Sequence, residues 1–142
     1  MKVLVLGSGA REHAIAWKFS KSKILSGLYV APGNAGTEEI AENLYDVDPC
    51  NSASVINACR KYGIDFVFVG PEAPLAAGVV DDLEAEGIYA FGPSKYAAQL
   101  ESSKLFSKAF MKRHNIPTAY SEEFDNIKAF EKAIGKTTGK VV

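Results

Sequence analysis

Apolar positions fall into two rhythms in the first part of the chain. Val3-Leu4-Val5-Leu6 is a continuous apolar run closed by Gly7, the pattern of a parallel strand buried on both faces. Residues 11–20 are then predicted to form a helix whose apolar body is Ala14, Ile15, Trp17 and Phe19. Residues 28–31 give a second short strand and residues 43–47 a third. Asn51 or Ser52 is placed to cap a helix that reaches Tyr62, with Gly63 to end it. Phe66-Val67-Phe68-Val69 is the strongest strand signal, all β-branched or aromatic. A helix over residues 75–86 follows, stopped by Gly87, and then a strand over 88–91. Strands separated by helices of this length imply an α/β fold, a Rossmann-like parallel sheet with right-handed crossovers.

The rhythm changes afterwards. Residues 94–114 read as helix with a break near Glu101. Leu105, Phe106, Ala109 and Phe110 form one apolar face there, and Lys104, Lys108 and Lys112 recur on another. Asn115 and Pro117 end that segment. A strand over 118–124, a short helix over 126–134 and the opening of a further strand at 140–142 complete the pattern. A chain that stops inside an apolar strand is expected to be cut. The expected division is a first domain at residues 1–93 and the incomplete start of a second at 94–142.

Composition narrows the function. Of 142 residues, 47% are apolar and 23% charged, and the net charge is −1. No broad basic field exists to hold nucleic acid by its phosphates. No apolar run approaches the roughly 20 residues that cross a bilayer, and the apolar start is too short for a signal peptide. A cytoplasmic protein is expected. Cys50 and Cys59 fit neither a metal spacing nor a disulfide framework, and Cys59 is expected as a buried thiol. No metal-ligand set is expected on this chain.

Chemistry concentrates in three loops that follow strands. Gly7-Ser8-Gly9 opens the first helix, where backbone N–H groups and the positive end of the helix dipole meet an anion. Arg11 adds a fork of donors suited to phosphate or carboxylate, and its cationic charge is badly placed for the dipole alone. Glu12 suits the helix start as well as a ligand. The second loop, Ala31-Pro32-Gly33-Asn34-Ala35-Gly36-Thr37, is a constrained turn able to expose several N–H donors. The third, Gly70-Pro71-Glu72, sets a carboxylate at the end of the strongest strand. Ligands of open α/β sheets bind outside the carboxyl ends of the strands, so the three loops are expected to converge on one crevice. A dinucleotide site is disfavoured. Glu12 stands where the fingerprint needs glycine, and Ala31-Pro32 where it needs an acidic residue. His13 has no nucleophile or metal partner nearby and is expected to be structural. His114 is expected as a helix-end charge, and Phe106 with Phe110 as core.

Taken together, these segments resemble one family. Gly7-Ser8-Gly9-Ala10-Arg11-Glu12-His13-Ala14, the second loop, and Gly70-Pro71-Glu72-Ala73-Pro74-Leu75 are similar to the three loop motifs of the glycinamide ribonucleotide synthetases. Phe91-Gly92-Pro93-Ser94-Lys95, Glu101-Ser102-Ser103-Lys104 and Ile116-Pro117-Thr118-Ala119 match that family's crossing into an ATP-grasp domain. Ser8 and Ala10 depart from it, standing where glycine is common. The resemblance implies a pre-ATP-grasp domain followed by the helical start of a truncated ATP-grasp domain. It implies a ligase of purine biosynthesis that joins phosphoribosylamine and glycine through an acyl phosphate, using ATP and magnesium, and that is a monomer at full length. By resemblance, substrate binding falls to Gly9, Ala10, Arg11, Glu12, Gly33, Asn34, Gly36, Thr37, Pro71 and Glu72, and an ATP contact to Lys104. Residues alone would leave Lys104 on a solvated face. The catalytic and magnesium residues are expected beyond Val142, which would leave this chain inactive by itself. The alternative is a stand-alone, non-catalytic module for a sugar phosphate or nucleotide.

Overall fold

The computed structural model describes residues 1–135. The chain divides into two compact units, Met1–Ser103 and Lys104–Val142. The expected strand at 140–142 lies outside the described residues.

In the first unit, β1 (Lys2–Gly7), β2 (Gly27–Pro32), β3 (Glu42–Asn43), β4 (Phe66–Val69) and β5 (Tyr89–Phe91) form a parallel sheet in the order β3-β2-β1-β4-β5. The helices are α1 (Ala10–Ser20), α2 (Ala35–Glu38), α3 (Ser52–Tyr62), α4 (Glu72–Ala77), α5 (Val79–Ala85) and α6 (Lys95–Ser102). Val3 pairs with both Leu28 and Phe66, which makes β1 the central strand. Its unbroken apolar run follows from that position. Leu4 and Leu6 pack with Val55, Cys59, Val67 and Leu83 on one face, while Val3 and Val5 pack with Ala16 and Val30 on the other. Asn51 caps α3 by accepting from the Ser54 N–H at 3.1 Å, and Gly63 ends it in the left-handed region at φ 66°.

Three expectations for the first unit are corrected. The helix expected over 75–86 is two helices, because Gly78 adopts φ 101° and breaks the run between α4 and α5. The third strand shrinks to Glu42–Asn43, since the chain turns where the Val47 N–H donates back to the Leu44 carbonyl at 3.2 Å. The first compact unit extends to Ser103, with α6 packed on α4. The helical break expected near Glu101 falls at Ser103, which is extended at φ −126°, ψ 106°.

The second unit contains α7 (Lys104–Arg113) and α8 (Ile127–Ile134). Asn126 caps α8 through the Ala129 N–H at 2.9 Å. Phe106 and Phe110 stack at 6.5 Å between ring centres, and Phe110 meets His114 at 4.4 Å. The strand expected over 118–124 is irregular chain instead. Lys108 Nζ donates to Thr118 Oγ1 and the Ala119 carbonyl, both at 2.7 Å, so the one backbone carbonyl among them is taken by a side chain.

Candidate functional site

The site is built by sheet order. β2 and β4 flank β1, so the loops leaving their carboxyl ends emerge side by side. The first loop turns at Gly7, whose φ of 126° is open to glycine at little cost. Gly9 is the extended N-cap of α1. The first intrahelical bond runs from the His13 N–H to the Gly9 carbonyl at 3.0 Å. The N–H groups of Ala10, Arg11 and Glu12 therefore come before any intrahelical acceptor.

Glu12 does not reach outward. Its residue is 3% exposed. Oε2 accepts from the Gly9 N–H at 2.9 Å, the side chain-to-cap half of a capping box. Oε1 accepts from Arg11 Nε at 2.8 Å. Arg11 is open to solvent, with its Nη2 lying 3.6 Å from Glu72 Oε2. The hydrogen bond to Glu12, and then its charge, push the Arg11 guanidinium above its ordinary range, so it stays cationic at any working pH.

The second loop is stitched to the first. The Gly33 N–H donates to the Gly7 carbonyl at 3.2 Å, and Asn34 Nδ2 donates to the Ser8 carbonyl at 2.8 Å. Asn34 Oδ1 accepts from the Gly36 and Thr37 N–H groups at 2.8 and 3.1 Å, which turns the loop into α2. Thr37 is fully buried, and its hydroxyl donates to Asn43 Oδ1 at 2.7 Å. A Cβ added at Gly36 would lie 2.7 Å from His13 Nδ1, so that glycine makes room for the half-buried imidazole. The third loop closes over Glu12. The Gly70 N–H donates to the Leu6 carbonyl at 3.3 Å, and a Cβ at Gly70 would stand 2.5 Å from Glu12 Oε1.

The three loops thus meet at the start of α1, which brings Gly9, Ala10, Arg11, Glu12, Gly33, Asn34, Gly36, Thr37, Pro71 and Glu72 into one neighbourhood. Lys104 opens α7 in the second unit and is described there by itself. Reading the sequence missed Asn43 and His13 as neighbours of the second loop, and nothing in their local spacing points to it. Among the described residues, no group of three or more His, Cys, Asp or Glu is placed to hold a metal ion. The magnesium implied by the resemblance therefore finds no ligand set on this stretch. Among the same residues, no helix is long and apolar enough to cross a membrane.

A family model described as phosphoribosylglycinamide synthetase, N domain, matches residues 1–101. The chain belongs to that family. It is 51% identical over 142 residues to a phosphoribosylamine–glycine ligase of Neisseria meningitidis, covering 100% of this chain and 33% of the relative. It is 52% identical over 131 residues to the trifunctional purine biosynthetic protein adenosine-3 of Gallus gallus, covering 90% of this chain and 13% of that one. Among solved structures, a phosphoribosylamine–glycine ligase from Thermotoga maritima superposes with a TM-score of 0.71 at 30% identity, over 97% of this chain and 31% of the other. This family chain therefore spans about a third of the length of the bacterial relative. The α/β parallel sheet agrees with the fold expected from the resemblance.

Proposed function

We propose that this chain is the N-terminal, ribose-phosphate-holding portion of an ATP-dependent phosphoribosylamine–glycine ligase of purine biosynthesis. The phosphate of phosphoribosylamine is taken by the first turn of α1, with the N–H groups of Ala10 and Arg11 and the Arg11 guanidinium as its donors. Backbone donors at a helix start favour a dianion, and the Arg11 fork adds charge-assisted hydrogen bonds. The loop from Gly33 to Thr37, held in shape by Asn34, lines the sugar. Glu72 accepts from the ribose hydroxyls or the amine, with Pro71 fixing its loop. Lys104 is the ATP contact carried by this chain. In the whole ligase ATP phosphorylates the glycine carboxylate, releasing ADP, and the sugar amine attacks the acyl carbon of that acyl phosphate, forming the C–N bond, expelling inorganic phosphate and losing a proton. The magnesium and catalytic residues of that step belong to other parts of the ligase. The setting is cytoplasmic, the partners are small molecules and not nucleic acid, and the full-length ligase is a monomer.

The observation that supports this reading is the convergence of three strand-end loops on one helix start beside an exposed arginine. Calorimetric titration with ribose 5-phosphate tests it. Saturable binding is expected, weakened about tenfold or more by Arg11→Ala, the worth of one charge-assisted hydrogen bond or two. Binding indifferent to that substitution, or no saturable binding, would overturn it.

A further inference from the structure

We propose that Glu12 is a positioning residue of the sugar-phosphate site: it touches no ligand and acts through Arg11, whose guanidinium it fixes at the mouth. The inference rests on the reading above and assigns Glu12 its part in it.

Three observations carry it. Both carboxylate oxygens are already engaged, Oε1 by Arg11 Nε at 2.8 Å and Oε2 by the Gly9 N–H at 2.9 Å. The side chain is walled by glycines from two of the three loops. A Cβ at Gly7 would stand 2.5 Å from Glu12 Cγ, one at Gly9 2.8 Å from Oε2, and one at Gly70 2.5 Å from Oε1. A carboxylate so enclosed, in a residue 3% exposed, has no free face for a substrate. Finally, the Arg11 contact is more than helix capping requires. Successive residues on a helix do not face each other, yet Arg11 Nε reaches Glu12 Oε1 at 2.8 Å.

That geometry leaves Arg11 prepared for an anion. Nε is spent on Glu12, and the two terminal nitrogens carry the remaining donors of the guanidinium fork. At 3.6 Å the exposed Glu72 carboxylate is a loose ion-pair partner for Nη2, so an arriving phosphate competes there only with a long, solvent-screened contact. A long side chain held beforehand loses less rotamer freedom when it meets phosphate. Left alone, a cation at the helix start would be repelled by the dipole. The buried Glu12 charge holds it in place against that repulsion.

Glu12→Gln separates the two jobs of the carboxylate. The amide oxygen can still take the Gly9 N–H, since glutamine also completes a capping box. The amide nitrogen then faces Arg11 Nε, donor against donor. Ribose 5-phosphate is titrated into the wild-type chain, Glu12→Gln, Arg11→Ala and the double variant. Glu12→Gln is expected to weaken binding about tenfold when Arg11 is present, and to add nothing once Arg11 is alanine. An equal loss in both backgrounds would overturn the inference, because Glu12 would then act directly or through the fold. A second measurement needs no ligand. The Arg11 Nε–H resonance in ¹⁵N spectra should exchange slowly with water in the wild type and fast in Glu12→Gln under conditions where both proteins are folded. Equal exchange in the two proteins would refute the inference. If the wild type fails to bind ribose 5-phosphate, the proposed function falls, and the exchange measurement still decides whether Glu12 holds Arg11.

Discussion

Gly70→Ala tests most sharply whether Glu12 locks the loops together. Gly70 does not sit in the left-handed region, so the substitution carries no backbone strain and its cost is set by contact alone. The new Cβ would lie 2.5 Å from Glu12 Oε1, 2.8 Å from Cγ and 3.0 Å from Cδ. An ordinary contact needs about 3.5 Å, so the carboxylate must shift by roughly 1 Å. It is anchored at both oxygens, so the shift stretches the bonds to Gly9 and Arg11. The bond from Gly9 to the buried carboxylate contributes about 1.5–3 kcal/mol, while the pair with the exposed Arg11 is screened by solvent and left out of the sum. Losing most of the Gly9 bond and crowding the packed side chain gives a destabilisation of about 2–3 kcal/mol. Urea unfolding followed by circular dichroism measures it. With a slope of about 1–3 kcal/mol per molar urea, the midpoint should fall by about 1 M or more. Gly87→Ala is the control. Its φ is 71° and nothing lies within 4 Å of the added atom, so only the left-handed penalty of about 1–2 kcal/mol applies. In a Glu12→Ala background the Gly70→Ala cost should fall below about 0.5 kcal/mol, because the obstructing carboxylate is gone. A Gly70→Ala protein within about 0.5 kcal/mol of wild type would refute the reasoning, because Glu12 would then be a mobile side chain.

Two further outcomes follow from particular contacts. Asn34→Ala should cost about 1–2 kcal/mol, by losing the cap on Gly36 and Thr37 and the bond to Ser8. Asn34→Asp keeps the cap oxygen and should cost less, and equal urea midpoints for the two variants would contradict this division. Burial pushes the Cys59 thiol up from 9.0 to about 11. Its neutral form is favoured in the fold, so this stabilisation is complete below about pH 9 and is lost as pH rises from there through about 11. The unfolding midpoint should therefore drop between pH 8.5 and pH 11 by more in wild type than in Cys59→Ala. Iodoacetamide at pH 8 should label the exposed Cys50 and spare Cys59, and labelling of both at one rate would contradict the buried thiol.

Much of the fold was legible because burial imposes simple patterns. β1 and β4 are packed on both faces of the sheet, so their apolar runs are continuous and their assignment needs no context. The caps of α3 were readable too, since Asn51 and Gly63 act through their own local chemistry. Elements decided by tertiary contact were not legible. Gly78 inside an apolar helical stretch reads as a tolerated helix residue, and only its left-handed backbone reveals the break. Residues 118–124 carry strand-formers that pair with no strand among the described residues, and Lys108 holds Thr118 and Ala119. At the site, the loops and Arg11 were visible as a glycine-rich pattern beside a cation. The burial of Glu12 was not, because it depends on Gly70, a residue far away in sequence whose loop closes over it. The link from Asn34 to Ser8 likewise needs β1 and β2 to be neighbours.

The central claim is that the three loops form one sugar-phosphate site, and a ¹⁵N-resolved titration of this chain with ribose 5-phosphate tests it most directly. Saturable shifts are expected to cluster at residues 7–12, 33–37 and 70–72, with the Ala10 and Arg11 amides moving furthest downfield as they donate to phosphate. Shifts confined to the second unit, scattered over exposed lysines, or absent from the amides of residues 9–12 would contradict the claim.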